Sequence, residues 1–204
     1  MAKPWYARKR LQKRVASLLI GLLIVAAGYY TESRSPNNTA ATPAPAGTYR
    51  VVRFDDGDTI VVDMNGTEEK VRFIGVDTPE TQDPRKAVQC FGKAASSYTR
   101  GRIGDQPVRL EADPLSTNRD RYNRLLRYVY LPDGTLMNLD IIQQGYGFAY
   151  LSFPFTKSDE FRAAQTTARE QNKGLWSSCE PETNQYGGFT SNNAENSGQW
   201  TDYR

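Results

Sequence analysis

Apolar positions in the middle of the chain follow the alternating or β-branched pattern of β-strands. These runs occupy residues 49–54, 59–64, 68–74, 107–112 and 124–131. Asn65-Gly66 separates the second run from the third and is a strong hairpin signal. The order of elements predicts an α+β fold, a five-stranded OB-fold-like β-barrel with about three helices. Other small barrels fit the same pattern, and OB-type barrels commonly bind oligonucleotides.

Helical spacing of apolar residues predicts the three helices. The first covers residues 91–103 and the second covers residues 138–144. Ser158 is expected to cap the third helix, and Gly174 is expected to end it. Residues 75–89, which contain two prolines, are predicted to form a loop.

Composition changes towards both ends of the chain and predicts four segments. Residues 1–30 are basic and then apolar, as in a signal peptide or a transmembrane anchor. Residues 31–47 form a flexible linker, residues 48–177 the folded domain, and residues 178–204 a polar, disordered tail. The apolar run continues to Tyr30 without a clean Ala-x-Ala site, which favours a retained anchor. The expected location is the cell envelope, either anchored with the domain outside the cytoplasm or, after cleavage, secreted or periplasmic.

Charge and composition exclude several kinds of chemistry. The chain has no histidine, which rules out histidine zinc sites, Ser-His-Asp triads and histidine bases. The formal net charge is +3, but residues 1–46 hold seven Lys and Arg against one Glu, and residues 47–176 hold 18 of each sign. Binding of a polyanion must therefore come from local placement of arginines rather than from a basic field over the whole domain.

Two carboxylate motifs are predicted to meet at one end of the hairpin. Asp56-Gly57-Asp58-Thr59 begins one strand, and Asp77-Thr78-Pro79-Glu80 follows its partner. Taken alone, each motif is also typical of an ordinary turn. Carboxylates placed together repel unless a cation lies between them. Calcium accepts carboxylates, carbonyls and water in such loops.

Arginines near these motifs offer groups that bind phosphate. Arg72 lies five residues before Asp77, and Asp120-Arg121-Tyr122-Asn123-Arg124 enters the last predicted strand. Guanidinium groups suit phosphate oxygens, so the inventory favours metal-assisted hydrolysis of a phosphodiester. The alternatives are a surface ion pair of Arg72 with Glu68 or Glu69, and an ordinary polar loop at residues 120–124.

Cys90 and Cys179 are the two cysteines of the chain. An even pair in an exported protein predicts a disulfide, and two separate buried thiols are the alternative. Two cysteines without histidine are too few for a usual structural zinc site.

Residues from about 52 to 176 resemble the staphylococcal nuclease family across nearly their whole length. The matching pieces are Asp56-Gly57-Asp58-Thr59, residues 71–81, Phe91-Gly92-Lys93-Ala94-Ala95, Asp120-Arg121-Tyr122-Asn123-Arg124, residues 128–130 with Asp133-Gly134, Asn138, Gln144-Gly145 and Gly174-Leu175-Trp176. Two positions depart from the family pattern. Asn123 stands where a glycine is usual, and Ser152 stands where a second pocket tyrosine is expected, which Phe153 would partly replace.

The resemblance implies a role for each site residue. Ca²⁺ would be held by Asp58, Asp77 and the backbone carbonyl of Thr78. Glu80 would orient or deprotonate the attacking water, and Arg72 and Arg124 would grip the phosphate. Tyr122 and Tyr150 would line the nucleoside pocket, with Lys86 on a loop beside it.

The expected function is that of a calcium-dependent nuclease. It would cut DNA and RNA with little sequence preference, favour single-stranded or locally open regions and act as a monomer. The family resemblance implies that it leaves 3′-phosphates. A first alternative is a non-catalytic nucleic-acid-binding OB-fold module at the cell envelope. A second is a calcium-stabilised envelope protein without a nucleic-acid role. The joint presence of Arg72, Glu80 and Arg124 argues against the first alternative, and the second would require both arginines to be merely structural.

Overall fold

The computed structural model describes residues 47–81, 88–185 and 187–192. The predicted signal or anchor, nearly all of the linker, Lys86 and the end of the tail lie outside these residues. Within the part that is described, no helix is long and apolar enough to cross a membrane.

The described residues form nine strands and four helices. The strands are β1 (Thr48–Asp56), β2 (Thr59–Met64), β3 (Thr67–Phe73), β4 (Val76–Asp77), β5 (Val108–Glu111), β6 (Leu125–Tyr130), β7 (Phe148–Ala149), β8 (Glu182–Thr183) and β9 (Phe189–Thr190). The helices are α1 (Gly92–Ile103), α2 (Met137–Gln143), α3 (Ser158–Glu170) and α4 (Leu175–Ser178).

Five strands close into a barrel in the order β1-β2-β3-β6-β5. All neighbours are antiparallel except β3 and β6, which run parallel. This confirms the predicted five-stranded barrel with helices inserted between and after its strands. The short strands β4 and β7 pair with each other outside the barrel, and the sequence pattern did not predict either of them.

The hairpin between β2 and β3 turns at the predicted position. Asn65 and Gly66 have φ angles of 58° and 86°, the left-handed geometry that a tight hairpin turn requires. The turn fixes a register in which Thr59 pairs with Arg72. Asp58 and Arg72 therefore lie at the same end of the hairpin.

Helix α3 begins and ends differently from the prediction. Ser158 is the first helical residue rather than the cap, and Lys157 stands at the cap position without a side-chain hydrogen bond. The helix ends at Glu170, four residues before Gly174. Gly174 instead precedes α4, where a Cβ atom would lie 2.3 Å from the carbonyl oxygen of Gly145. This glycine therefore permits a close approach of two backbone segments.

In the segment after residue 178, for which a disordered tail is predicted, residues 179–185 and 187–192 are described and include two strands. Strands β8 and β9 form a small antiparallel sheet. Phe189 of β9 packs against Phe148 and Trp176, with ring centroids 6.3 and 5.1 Å apart. The polar composition of the segment predicts disorder, and it gives no sign that Phe189 packs against the folded domain.

A disulfide joins Cys90 to Cys179, as predicted, across a sequence separation of 89 residues. Both cysteines are buried in a small apolar cluster with Phe148 and Leu175. The bridge ties the start of α1 to the end of α4. It also fixes the point from which the β8–β9 hairpin departs.

Candidate active site

Asp58 lies buried at the junction of the hairpin with the turn that follows β4, with 1 % of its surface exposed. The Thr78 backbone N–H and hydroxyl donate to its Oδ2 at 2.8 and 3.0 Å, and the Thr59 hydroxyl donates to its Oδ1 at 3.0 Å. Gly57 makes this junction possible, because a Cβ atom there would lie 2.9 Å from the Thr78 side chain. The two predicted carboxylate motifs therefore do meet.

Arg72 forms ion pairs with both Asp58 and Asp77, the two carboxylates that are predicted to lie together. Its guanidinium forms an ion pair with Asp58, and its Nη2 donates to Asp77 Oδ1 at 2.8 Å and to the Val76 carbonyl at 3.0 Å. Burial alone would lower the pKa of Arg72, but the adjacent carboxylates of Asp58 and Asp77 raise it above its ordinary value. Arg72 is thus a charged group fixed inside the site.

The alternative partner for Arg72 is excluded by the structure. Glu69 is bound by Arg119, with oxygen–nitrogen distances of 2.8 and 2.9 Å. Glu68 lies within 3.6 Å of Arg53. Arg72 does not form the surface ion pair that either glutamate would have offered.

A further carboxylate, Asp56, belongs to the same group. Its Oδ1 accepts hydrogen bonds from the Gly57 N–H at 2.8 Å and the Thr81 hydroxyl at 3.1 Å. Burial raises the pKa of Asp56 to about 7, with a further contribution from the negative charges of Asp58 and Glu80. No role for Asp56 is predicted from the sequence, although it belongs to the Asp-Gly-Asp motif that contains Asp58.

Glu80 is held through its backbone by Gln89. The Glu80 N–H donates to Gln89 Oε1 at 2.7 Å, and the Gln89 N–H donates back to the Glu80 carbonyl at 2.9 Å. The Glu80 carboxylate accepts the Thr81 N–H at 3.0 Å. The Gln89 amide also donates to the Ser191 carbonyl at 3.0 Å. The position of Glu80 therefore depends on the segment that follows β9.

Arg124 lies one residue before β6, beside the hairpin. Strand β6 pairs with β3 so that Leu126 stands opposite Arg72. Arg124 is two residues away from Leu126, so it occupies the same face of the sheet as Arg72. Its Nε and Nη2 each lie 2.7 Å from Asp120 Oδ2. The structure places Arg72 on β3 and Arg124 just before the adjacent strand β6 but gives no direct contact between them.

Aromatic rings lie exposed at the edge of the site. Tyr122 is 63 % exposed, and Arg124 lies over its ring at 5.4 Å. Asn123, the residue in place of the usual glycine, has a φ of 64°, a left-handed geometry that asparagine tolerates. Tyr150 is also exposed, with the ring of Phe153 at 5.9 Å. Phe153 thus supplies a second ring near Tyr150, beside Ser152.

The oxygen donors at Asp58 and Asp77 suit calcium by their chemistry. A single guanidinium reaches both carboxylates, so their charges are close enough to share one cation. In the described ranges no group of three or more His, Cys, Asp or Glu residues is arranged to hold a metal. A cation here would need the Thr78 carbonyl and water to complete its shell, which calcium accepts.

Comparison with known proteins gives consistent matches. A family model described as "Staphylococcal nuclease homologue" matches residues 70–178. A thermonuclease of Staphylococcus hyicus is 35% identical over 170 residues, covering 83% of this chain and 99% of the relative. A thermonuclease of Staphylococcus intermedius is 36% identical and covers 82% and 98%. Endonuclease YncB of Bacillus subtilis is 36% identical and covers 72% and 74%.

Proposed function

The chain belongs to the staphylococcal nuclease family, and on that basis we propose that it is a nuclease. It hydrolyses phosphodiester bonds in DNA and RNA with low sequence specificity, depends on calcium and leaves 3′-phosphates. The observation that carries the proposal is the group in which Arg72 bridges the buried Asp58 and the half-exposed Asp77. Such a group can bind a cation from its exposed side and offers an arginine to a phosphate beside that cation.

Asp58, Asp77 and the backbone carbonyl of Thr78 would hold the calcium ion. When bound, calcium supplies positive charge that stabilises the negative charge developing on the phosphate. Asp58 is already oriented for this role, because both oxygens have fixed hydrogen-bond partners. Preorganisation of this kind avoids reorganising charged groups during the reaction.

Arg72 and Arg124 act on the phosphate. Phosphodiester hydrolysis passes through an arrangement with more negative charge on the phosphate oxygens, and guanidinium groups neutralise that charge through paired hydrogen bonds. Arg72 is fixed by the Val76 carbonyl as well as by carboxylates. Arg124 is fixed by Asp120. Both groups are therefore in place before the substrate arrives.

Glu80 orients or deprotonates the attacking water. A carboxylate that positions water needs correct geometry more than a strongly shifted pKa. Two hydrogen bonds supply that geometry, one from the Glu80 N–H to the Gln89 side chain and one from the Gln89 N–H to the Glu80 carbonyl. Thr81 holds the carboxylate through its N–H.

Tyr122 and Tyr150 stack on the bases of the substrate. Stacking is tolerant of sequence because every base has an aromatic face, and it needs unpaired or locally open nucleotides. This accounts for the proposed preference for single-stranded or open regions in either nucleic acid. The contribution of Lys86, the monomeric state and the location at the envelope stay predictions.

A cleavage assay with purified protein tests the proposal. Plasmid DNA and a structured RNA are incubated with calcium or with a chelator, for the wild type and for Glu80→Gln. We expect cleavage of both nucleic acids by the wild type in calcium. Glu80→Gln should be slower by about 10²–10³-fold, the loss typical of a preorganised polar group at the reacting centre. Undiminished cleavage by folded Glu80→Gln would contradict the assignment, and no cleavage by the wild type would contradict the function.

A further inference from the structure

A cleft opens next to the candidate active site. Its volume is about 390 Å³, and its lining includes Asp77 and Tyr150. Neither Tyr122 nor Arg124 lines it. The cleft therefore adjoins both the carboxylate group, at Asp77, and the predicted nucleoside pocket, at Tyr150, and extends beyond them. A volume of this size suits one small ligand or a short segment of a larger one.

One wall of the cleft is the polar face of α3. Arg162, Gln165, Thr166 and Arg169 all line it, and their spacing of three, four and seven residues places them on one side of a helix. Gln165 is held in place, because its Oε1 accepts the Ala149 N–H at 2.9 Å. The buried residues Phe161 and Ala168 anchor the helix from its apolar side.

Two guanidinium groups on this wall have no acidic partner among the described residues. Neither Arg162 nor Arg169 forms an ion pair there, although most other arginines of the barrel do. The two residues are seven positions apart, or ~10 Å along the helix axis. This spacing lets each guanidinium reach a different phosphate of one strand.

The opposite wall is the β8–β9 hairpin, which begins beyond the residues matched by the family model. Asn184, Gly188 and Phe189 line the cleft from this side. Arg169 lies over the Phe189 ring at 5.6 Å, so the two walls meet. The backbone N–H of Cys90 holds the hairpin by donating to the Asn192 carbonyl at 2.8 Å.

We propose that this cleft is a second binding site, for the sugar–phosphate backbone of a single-stranded nucleic acid next to the bond that is cut. Arg162 and Arg169 contact two phosphates of one strand, and Gln165 offers its side-chain N–H groups to the sugars between them. Asp77 also lines the cleft, and its negative charge is offset by the ion pair with Arg72. The site rests on the proposed function and extends it, because it predicts tighter binding of longer strands.

Binding measurements separate this site from the catalytic one. Fluorescence anisotropy is recorded in chelator with a labelled 12-nucleotide single strand and with a labelled dinucleotide, at several salt concentrations. All proteins carry Glu80→Gln so that the ligands stay intact. The test variant adds Arg162→Gln and Arg169→Gln. The matched control adds Arg50→Gln and Arg109→Gln, which remove two exposed arginines of the barrel far along the sequence from the cleft.

We expect the double arginine variant to bind the 12-nucleotide strand about 10-fold more weakly. The slope of log affinity against log salt should become shallower by about 0.7 for each phosphate that an arginine no longer neutralises on a single strand. The affinity of the double arginine variant for the dinucleotide should not change. The control variant with Arg50→Gln and Arg109→Gln should bind both ligands with the affinity of the Glu80→Gln parent. Unchanged affinity and slope for the long strand would overturn the proposal, as would an equal reduction for the dinucleotide. If the wild type bound long strands this way but failed to cut them, the proposed hydrolysis would fail and the binding site would stand.

Discussion

Replacement of Gln89 by alanine should slow catalysis without removing a residue that touches the substrate. The Gln89 side chain accepts the Glu80 N–H at 2.7 Å and donates to the Ser191 carbonyl at 3.0 Å and the Thr190 hydroxyl at 3.3 Å. It is the link through which the segment after β9 positions the turn that carries Glu80. Removal of the link frees this turn to move relative to the carboxylate group.

The expected size of the effect follows from these hydrogen bonds. Each contributes about 0.5–1.5 kcal/mol net, so removal of all three predicts a decrease of about 1.5–4.5 kcal/mol in the free energy of unfolding. A misplacement of about 1 Å at a reacting centre can cost ~10²-fold in rate. We therefore expect Gln89→Ala to lower kcat by roughly 10- to 100-fold. KM should change little, because the proposed phosphate and base contacts do not involve Gln89.

Steady-state cleavage of a short single strand and denaturant unfolding give the two quantities. Tyr128→Phe is the matched control, because it removes a buried hydrogen bond of 2.7 Å to Asp113 that has no contact with the site. The control should lose stability and keep its kcat. If Gln89→Ala lost stability but retained the kcat of the wild type, the inference that Gln89 positions Glu80 would be wrong.

Three further predictions concern charge and covalent structure. Arg72→Gln removes the guanidinium charge that Asp58 and Asp77 share. Calorimetry should therefore show tighter calcium binding, while the rate of cleavage falls by ~10²-fold or more. Unchanged or weaker calcium binding would contradict the inference that arginine and calcium share these carboxylates. Removal of the Cys90–Cys179 bridge, which closes a loop of 89 residues, should lower the free energy of unfolding by about 4–5 kcal/mol in the chain-entropy model; a decrease below ~1 kcal/mol in denaturant titrations would refute it. Burial alone would raise the pKa of Asp113, but hydrogen bonds from Thr156 and Tyr128 lower it to about 2. The lowered pKa predicts a contribution of ~2 kcal/mol that is present above pH ~4 and lost as the pH falls towards 2. Urea unfolding of Asp113→Asn should show a smaller dependence on pH over that range, and an unchanged dependence would count against the assignment.

The barrel and the meeting of Asp58 with Asp77 could be predicted from sequence because their signals are local. Asn65-Gly66 fixes a turn, the turn fixes the register, and the register brings the two ends of the hairpin together. Side-chain patterns of five or more residues predicted each barrel strand. The strands that the pattern did not predict, such as β7, have two residues each, too few for an alternation to form.

The support of Glu80 could not be predicted, because it depends on contacts that are distant in sequence. Gln89 and Ser191 are 102 residues apart, and no local pattern joins them. The ordered hairpin after residue 178 escaped prediction for a related reason: its packing depends on one ring, Phe189, in a polar segment. The helix begins one residue earlier than the capping prediction requires, so Ser158 is its first residue and Lys157 stands at the cap position.

The proposed site is tested most directly by measuring whether calcium is needed for cleavage of the nucleic acid, for its binding, or for both. Cleavage and anisotropy of one single-stranded oligonucleotide are measured side by side in calcium, magnesium and chelator, for the wild type and for Asp58→Ala. We expect cleavage in calcium alone, measurable binding in all three conditions, and an Asp58→Ala protein that behaves in calcium as the wild type does in chelator. Magnesium should substitute poorly because it demands near-ideal octahedral geometry and releases water reluctantly. Full cleavage in chelator, or equal rates in magnesium and calcium, would contradict the site built around Asp58 and Asp77.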